Sequence, residues 1–256
     1  MENSNSITSP MVSRCKLSKS GSDNFLDVSL YRSVVGALQY ATITRPEIRF
    51  SVKKVCQFMS NPLEQHWSAV KRILRYLKGT LSLGLHLQPA PPNSPLSIHA
   101  YCDADWASDP DDRRSTSGAA IFVGPNLISW WSKKQTVVAR SSTEAKYRSL
   151  AIATAEVLWI QTLLSELHVS HHSPVIYCDN LSTVALAHNL VLHARTKHME
   201  LDLFFVRKKV PANLLHVVHV PATDQYVDIL TKSLSPSRFC ELRSKLKLAN
   251  SSPHPT

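Results

Sequence analysis

The sequence predicts an α/β domain, a mixed five-stranded sheet flanked by helices, preceded by a small helical segment. Three observations carry that prediction. Runs at residues 96–106, 118–123 and 127–132 are strand-like and joined only by polar or Gly/Pro turns, as in an antiparallel meander. Helical and strand patterns then alternate as far as residue 232, which puts helices on the faces of a mixed sheet. Ahead of the meander, residues 89–95 read Pro-Ala-Pro-Pro-Asn-Ser-Pro, a stiff linker that continues neither helix nor strand.

In order along the chain, residues 1–30 are rich in Ser, Asn and Lys with little periodicity and read as a mobile lead-in. Residues 31–88 read as a helical segment. Pro46 suits the first turn of a helix whose residues Ile48, Val52, Val55 and Met59 share one face. Asn61 is placed to cap the next helix, with Pro62 at its first position and Glu64 completing a capping box. Trp67, Val70, Leu74 and Leu77 form its apolar stripe, and Gly79 ends it. Lys71, Arg72, Arg75 and Lys78 lie mostly off that stripe, as a solvated face or as contacts to phosphate backbone. The main domain spans 96–248 and a tail covers 249–256. Within the domain a long helix is expected at 142–167, strands at 175–178 and 214–220, and helices at 182–188, 196–210 and 224–232.

Composition bounds the function. The 256 residues are 43% hydrophobic, enough for one substantial core. The formal charge of +10 makes a polyanionic partner worth testing, and the excess is concentrated ahead of the acidic region: residues 1–95 carry twelve Lys/Arg against five Asp/Glu. Five scattered cysteines without a C-x-x-C pair argue against a disulfide framework and a zinc ribbon, and suit a reduced, intracellular protein, expected in the cytoplasm. No apolar run approaches a membrane span and the start lacks a signal peptide's apolar region. Six glycines, none in a phosphate-binding loop or a G-x-S-x-G elbow, remove the usual support for nucleotide hydrolysis and serine-hydrolase chemistry.

Two strands end alike, Tyr101-Cys102-Asp103 and Tyr177-Cys178-Asp179, so that alternation sends each Cys to one face and delivers an Asp at each strand end. Either Asp alone reads as a turn or helix cap. Asp228 lies one turn into the last predicted helix, which Asp224 can cap. Three converging acids repel unless a cation sits among them, and oxygen-only ligands point to magnesium or manganese. Two such ions activate a water and stabilise the leaving oxygen of a phosphodiester.

The motifs Tyr101-Cys102-Asp103-Ala104-Asp105-Trp106, Arg113-Arg114-Ser115-Thr116-Ser117-Gly118, Ile128-Ser129-Trp130 with Ser132-Lys133-Lys134-Gln135, Arg140-Ser141-Ser142-Thr143-Glu144-Ala145, Cys178-Asp179-Asn180, His193-Ala194-Arg195-Thr196-Lys197-His198 and Asp228-Ile229-Leu230-Thr231-Lys232 resemble the successive signatures of the copia-type retrotransposon ribonuclease H domain. Upstream, Tyr31-Arg32-Ser33-Val34-Val35-Gly36 and the run from Arg72 to Thr80 resemble the reverse-transcriptase tail that precedes that domain in the Pol polyprotein. The polymerase's own catalytic Asp pair is not in this chain.

The resemblance implies a ribonuclease H-like fold, a larger Pol polyprotein as the usual context, and an RNA–DNA hybrid or other nucleic acid as partner. It also implies a two-ion magnesium (or manganese) site for cleaving the RNA strand. Asp103, Asp179 and Asp228 match three of the four ligand positions, with Glu144 as the candidate fourth. The pattern departs at one place: family members read Glu-Ala-Glu-Tyr where this chain reads Glu144-Ala145-Lys146-Tyr147.

Lys146 shares a stripe with Leu150, Ala153 and Val157, whereas Glu144 lies about 200° around the helix and has a capping-box role with Ser141. A lysine among the carboxylates would pair with them and compete with metal. The alternative to a working nuclease is therefore a catalytically impaired nucleic-acid-binding remnant of the polyprotein. A transposase or integrase would need a different order of acidic motifs. His219 lies on a strand and receives no catalytic role; His193 and His198 have finger-like spacing without cysteine partners and read as packing residues. Trp130, Trp131, Lys133 and Lys134 are candidates to stack on and clamp nucleic acid, with one Trp facing the core.

Overall fold

The computed structural model describes residues 4–91, 94–189 and 199–250. The expected His193/His198 pair, the start of the helix predicted from 196, two linker residues and the end of the tail lie outside them. In chain order the elements are α1 (Val28–Ala41), a 3-10 turn (Pro46–Ile48), α2 (Arg49–Cys56), α3 (Glu64–Lys78), β1 (Leu83–Leu85), β2 (Ile98–Asp105), β3 (Thr116–Val123), β4 (Asn126–Lys134), α4 (Ser142–Glu166), β5 (Val175–Cys178), α5 (Leu181–His188), α6 (Glu200–Lys209), β6 (His216–His219), a 3-10 turn (Ala222–Asp224), α7 (Asp228–Thr231), α8 (Pro236–Lys245) and β7 (Leu248–Asn250). They form two compact units. The first joins residues 4–86, Asp109–Arg113 and 232–250; the second joins Leu87–Ser108 and Arg114–Thr231.

The second unit is the predicted α/β domain. Its five strands run β4-β3-β2-β5-β6, with β2, β3 and β4 antiparallel to one another and β5 parallel to both β2 and β6. This is the mixed, helix-flanked sheet that the ribonuclease H resemblance implies. Helix α4 covers β2 and β3, and its residues Leu150, Ala153 and Val157 are wholly buried against Ala100, Cys102 and Ile121. Burying such side chains contributes about 1.5–3 kcal/mol for each large aliphatic. Cys102 and Cys178 enter this core as alternation predicts, and so does Trp131, while Trp130 stays half-buried on the other face.

The first unit departs from the sequence reading in three ways. Residues 4–27 contain no helix, yet they are held along α3. Lys78, Arg75 and Gln65 of α3 donate to the carbonyls of Ser4, Asn5 and Ser18, and Phe25 stacks on Trp67 at 4.8 Å. A polar segment read as mobile is held here by side chains some forty or more positions away. Helix α3 begins at Glu64, two residues later than Asn61-Pro62 suggested; the free Leu63 N–H is accepted by His66 Nδ1 at 2.9 Å. Its buried stripe is His66, Val70, Ile73 and Tyr76 instead of one through Leu74 and Leu77. Finally, α8, which the sequence reading placed in the main domain, and β7, which it divided between that domain and the tail, belong to this unit. Phe239 meets Tyr76 edge to face at 5.5 Å, and β7 pairs antiparallel with β1.

Candidate functional site

The repeated Tyr-Cys-Asp motif becomes one structure because β2 and β5 are parallel neighbours in register, Tyr101 opposite Tyr177 and Cys102 opposite Cys178. Tyr101 and Tyr177 stack at 4.9 Å. The residues that follow, Asp103 and Asp179, therefore leave adjacent strands side by side. Asp103 is fully buried, inside β2 and opposite Gly118; Asp179 follows the end of β5.

Lys146 joins them. From α4 its Nζ reaches Asp179 Oδ1 at 2.6 Å and Oδ2 at 2.7 Å, and Asp103 Oδ1 at 2.9 Å. Burial lowers the Lys146 pKa, but the two carboxylates raise it by more, and the net shift is upward from the ordinary value near 10.5. At neutral pH the site holds an ammonium ion.

Asp103 has further support. Its Oδ2 accepts from Thr231 Oγ1 at 2.6 Å, and its backbone carbonyl accepts from Ser149 Oγ at 2.8 Å. The buried amide of Gln225 donates to Cys102 O at 3.0 Å and ties the segment before α7 to β2. Gly118 allows α7 to come this close: a Cβ there would lie 2.9 Å from Thr231 Cγ2 and 3.0 Å from Leu230 Cβ. Sequence reasoning missed Thr231, Gln225, Ser149 and Gly118. The only signal was their presence in or beside the motifs, since each acts through a contact with a distant element.

Asp228 is the first residue of α7, not one turn inside a longer helix, because residues 222–224 form a separate 3-10 turn. It is half-buried and shares α7 with Thr231, the residue that touches Asp103. Glu144 is bonded elsewhere. Ser141 Oγ accepts from its backbone N–H at 3.1 Å, its Oε2 accepts from Arg140 N at 2.7 Å, and Oε1 pairs with Arg148 at 3.0 Å. The capping-box role is realised, shifted by one residue at the backbone donor. The four carboxylates expected to act as a ligand set are thus not gathered. Two are bound by Lys146, Glu144 serves the start of α4, and among the described residues no three His, Cys, Asp or Glu side chains are grouped to hold a metal ion. The donors present, with an ammonium already among them, do not suit a two-metal centre.

Along the β4 edge lies a groove of about 240 Å³, with Lys133, Lys134, Gln135, Arg148 and Asp202 among its lining, and Asp202 Oδ2 stands 3.5 Å from Arg148 Nη1. Lys133 Nζ stands 5.1 Å over the Trp131 ring, and Gln135 Nε2 donates to Ser117 Oγ and Ala145 O, both at 2.8 Å.

No family model matches the chain. Two curated relatives from Arabidopsis thaliana, the retrovirus-related Pol polyproteins from transposons RE1 and RE2, are 47% and 45% identical to it over 241 residues, 94% of this chain. The chain belongs to the retrovirus-related Pol polyproteins of copia-type transposons. It spans 16% of the length of those two relatives. Among solved structures, LC11 ribonuclease H1 in complex with an RNA/DNA hybrid aligns with a TM-score of 0.39 at 16% identity, covering 53% of this chain and 94% of that one. Among the described residues of this Pol segment, no helix is long and apolar enough to cross a membrane.

Proposed function

We propose that this segment is the ribonuclease H-type part of its polyprotein, that it engages RNA–DNA hybrid, and that in this sequence it binds hybrid without cleaving it. The observation that carries the proposal is the Lys146 ammonium, 2.6–2.9 Å from both Asp179 and Asp103. Phosphodiester hydrolysis on this fold needs carboxylates free to hold divalent ions. Here an internal cation neutralises Asp103, within β2, and Asp179, just past β5, and Glu144 is committed to Arg148. The Pol relationship supports hybrid as the partner, and so does the groove beside β4, where Asp202 offsets Arg148 and Lys133 and Lys134 leave an excess of positive charge, with Lys133 exposed for backbone phosphate contact.

The test is cleavage and binding of a labelled RNA–DNA hybrid by the wild type, Asp103→Asn, Lys146→Glu and Lys133→Glu in millimolar magnesium. The expected wild type binds and leaves the RNA intact. Lys133→Glu weakens binding, and Lys146→Glu gains a magnesium-dependent rise in melting temperature because it returns a carboxylate to the position of the ammonium. Wild-type cleavage that disappears in Asp103→Asn would show that the site works with Lys146 in place and would overturn the proposal.

A further inference from the structure

A cleft of about 750 Å³ lies in the first unit, between α3 and the segment that precedes α1. Its α3 wall carries Lys71, Arg72 and Arg75, and the other side adds Lys16. Exposed Val12, beside buried Met11 and Leu17, gives it apolar surface. Among the described residues no carboxylate lines it. The fold's own contacts to these cations are with neutral acceptors: Arg72 Nη2 donates to Ser9 Oγ and Arg75 Nε to Asn5 O. Such bonds satisfy donors and cancel no charge. Arg72 Nε is shielded from solvent and has no hydrogen-bond partner. Burial, and next the neighbouring Arg75, hold the Arg72 pKa below the usual guanidinium range.

We infer that this cleft binds the phosphodiester backbone of a single nucleic-acid strand. Four cations, with no acid among the described lining residues, supply the charge that such a backbone complements. The apolar surface takes bases that a single strand exposes and a duplex keeps in its stack. The volume falls within the range of small-ligand pockets, enough for a nucleotide or two. The cleft belongs to a different unit from Asp103 and Lys146, so the inference does not depend on the hybrid reading.

The experiment uses the full chain and a fluorescein-labelled oligothymidylate, with anisotropy followed across a salt series. Lys16→Glu/Lys71→Glu changes two exposed residues. It is expected to weaken binding about tenfold at low salt and to flatten the slope of log K against log salt by about 1.4, for two lost single-strand phosphate contacts. Lys208→Glu, an exposed change on α6 that lines neither the cleft nor the β4 groove, leaves both quantities unchanged, and the double variant keeps hybrid binding near the wild-type value, so the two proposals fail separately. Should the double variant not fold, the wild type still decides: bound oligothymidylate slows alkylation of Cys15, which lines the cleft, relative to Cys240. An unchanged slope in a folded double variant, or equal alkylation of Cys15 with and without the strand, overturns the inference.

Discussion

Lys146 stands where the resemblance led one to expect a glutamate, and it is the residue on which Asp103 and Asp179 depend. Asp103 has no solvent exposure, and its charge is compensated by Lys146 and hydrogen-bonded by Thr231. Removing one partner of a buried ion pair costs about 3–5 kcal/mol, because the other charge stays behind. Lys146→Met is therefore expected to lower unfolding free energy by about that amount at pH 7, read by urea titration. The pH dependence has a definite sign. The folded-state pKa of Lys146 lies above its unfolded value, so the pairing stabilises in full below about 10.5 and fades as pH rises through the folded value. The wild-type advantage over Lys146→Met should be constant from pH 7 to pH 9 and shrink at strongly alkaline pH. A gap that persists undiminished there would mean that the lysine stabilises by packing alone.

The elements show which parts of this architecture a sequence can disclose. Helix α4 was legible: its start at Ser142, its Ser141 cap and its buried stripe through Leu150, Ala153 and Val157 all follow from local spacing, and that stripe is what aims Lys146 at the strand ends. The paired Asp residues were legible for the same reason, since strand alternation and a repeated motif are local facts. Helix α7 was not. Its start at Asp228 is set by Gln225, which anchors the preceding segment to Cys102 O, and by the fit of Val227, Leu230 and Thr231 over Gly118. None of those contacts has a periodic signature. Gly118→Ala tests that fit. Its new Cβ would lie about 3 Å from side-chain atoms of Leu230, Thr231 and Val227. Overpacking of this kind costs about 1–3 kcal/mol, and α7 must shift away from Asp103. A melting temperature within about a degree of wild type, with the Thr231–Asp103 bond intact in a crystal structure, would show that the neighbours give way at almost no cost.

At the scale of the whole chain, sequence order and spatial grouping diverge, and that divergence hid from the sequence reading that residues 109–113 and the segment after Thr231 join the helical segment at 31–88. The chain leaves this unit at His86, returns for Asp109–Arg113, leaves again and comes back after Thr231. The returning segment is structural. Phe239 and Leu242 of α8 are buried, Phe239 against Tyr76 of α3; Arg243 Nη1 reaches Tyr76 Oη at 3.3 Å; and β7 supplies the partner strand for β1. A chain ended after Thr231 keeps every strand of the five-stranded sheet together with Asp103, Lys146, Asp179 and Asp228, and loses the cover of Tyr76. Proteolysis is then expected to separate the two units. Cleavage in residues 28–78 should accelerate by an order of magnitude or more, as a loss of about 1.4 kcal/mol or greater in local stability implies, because two large buried side chains are removed. Cleavage in residues 114–189 should change much less. Equal acceleration in both would mean that α8 and β7 support the chain as one cooperative block, and that the main domain does extend through residue 248 as the linear reading had it.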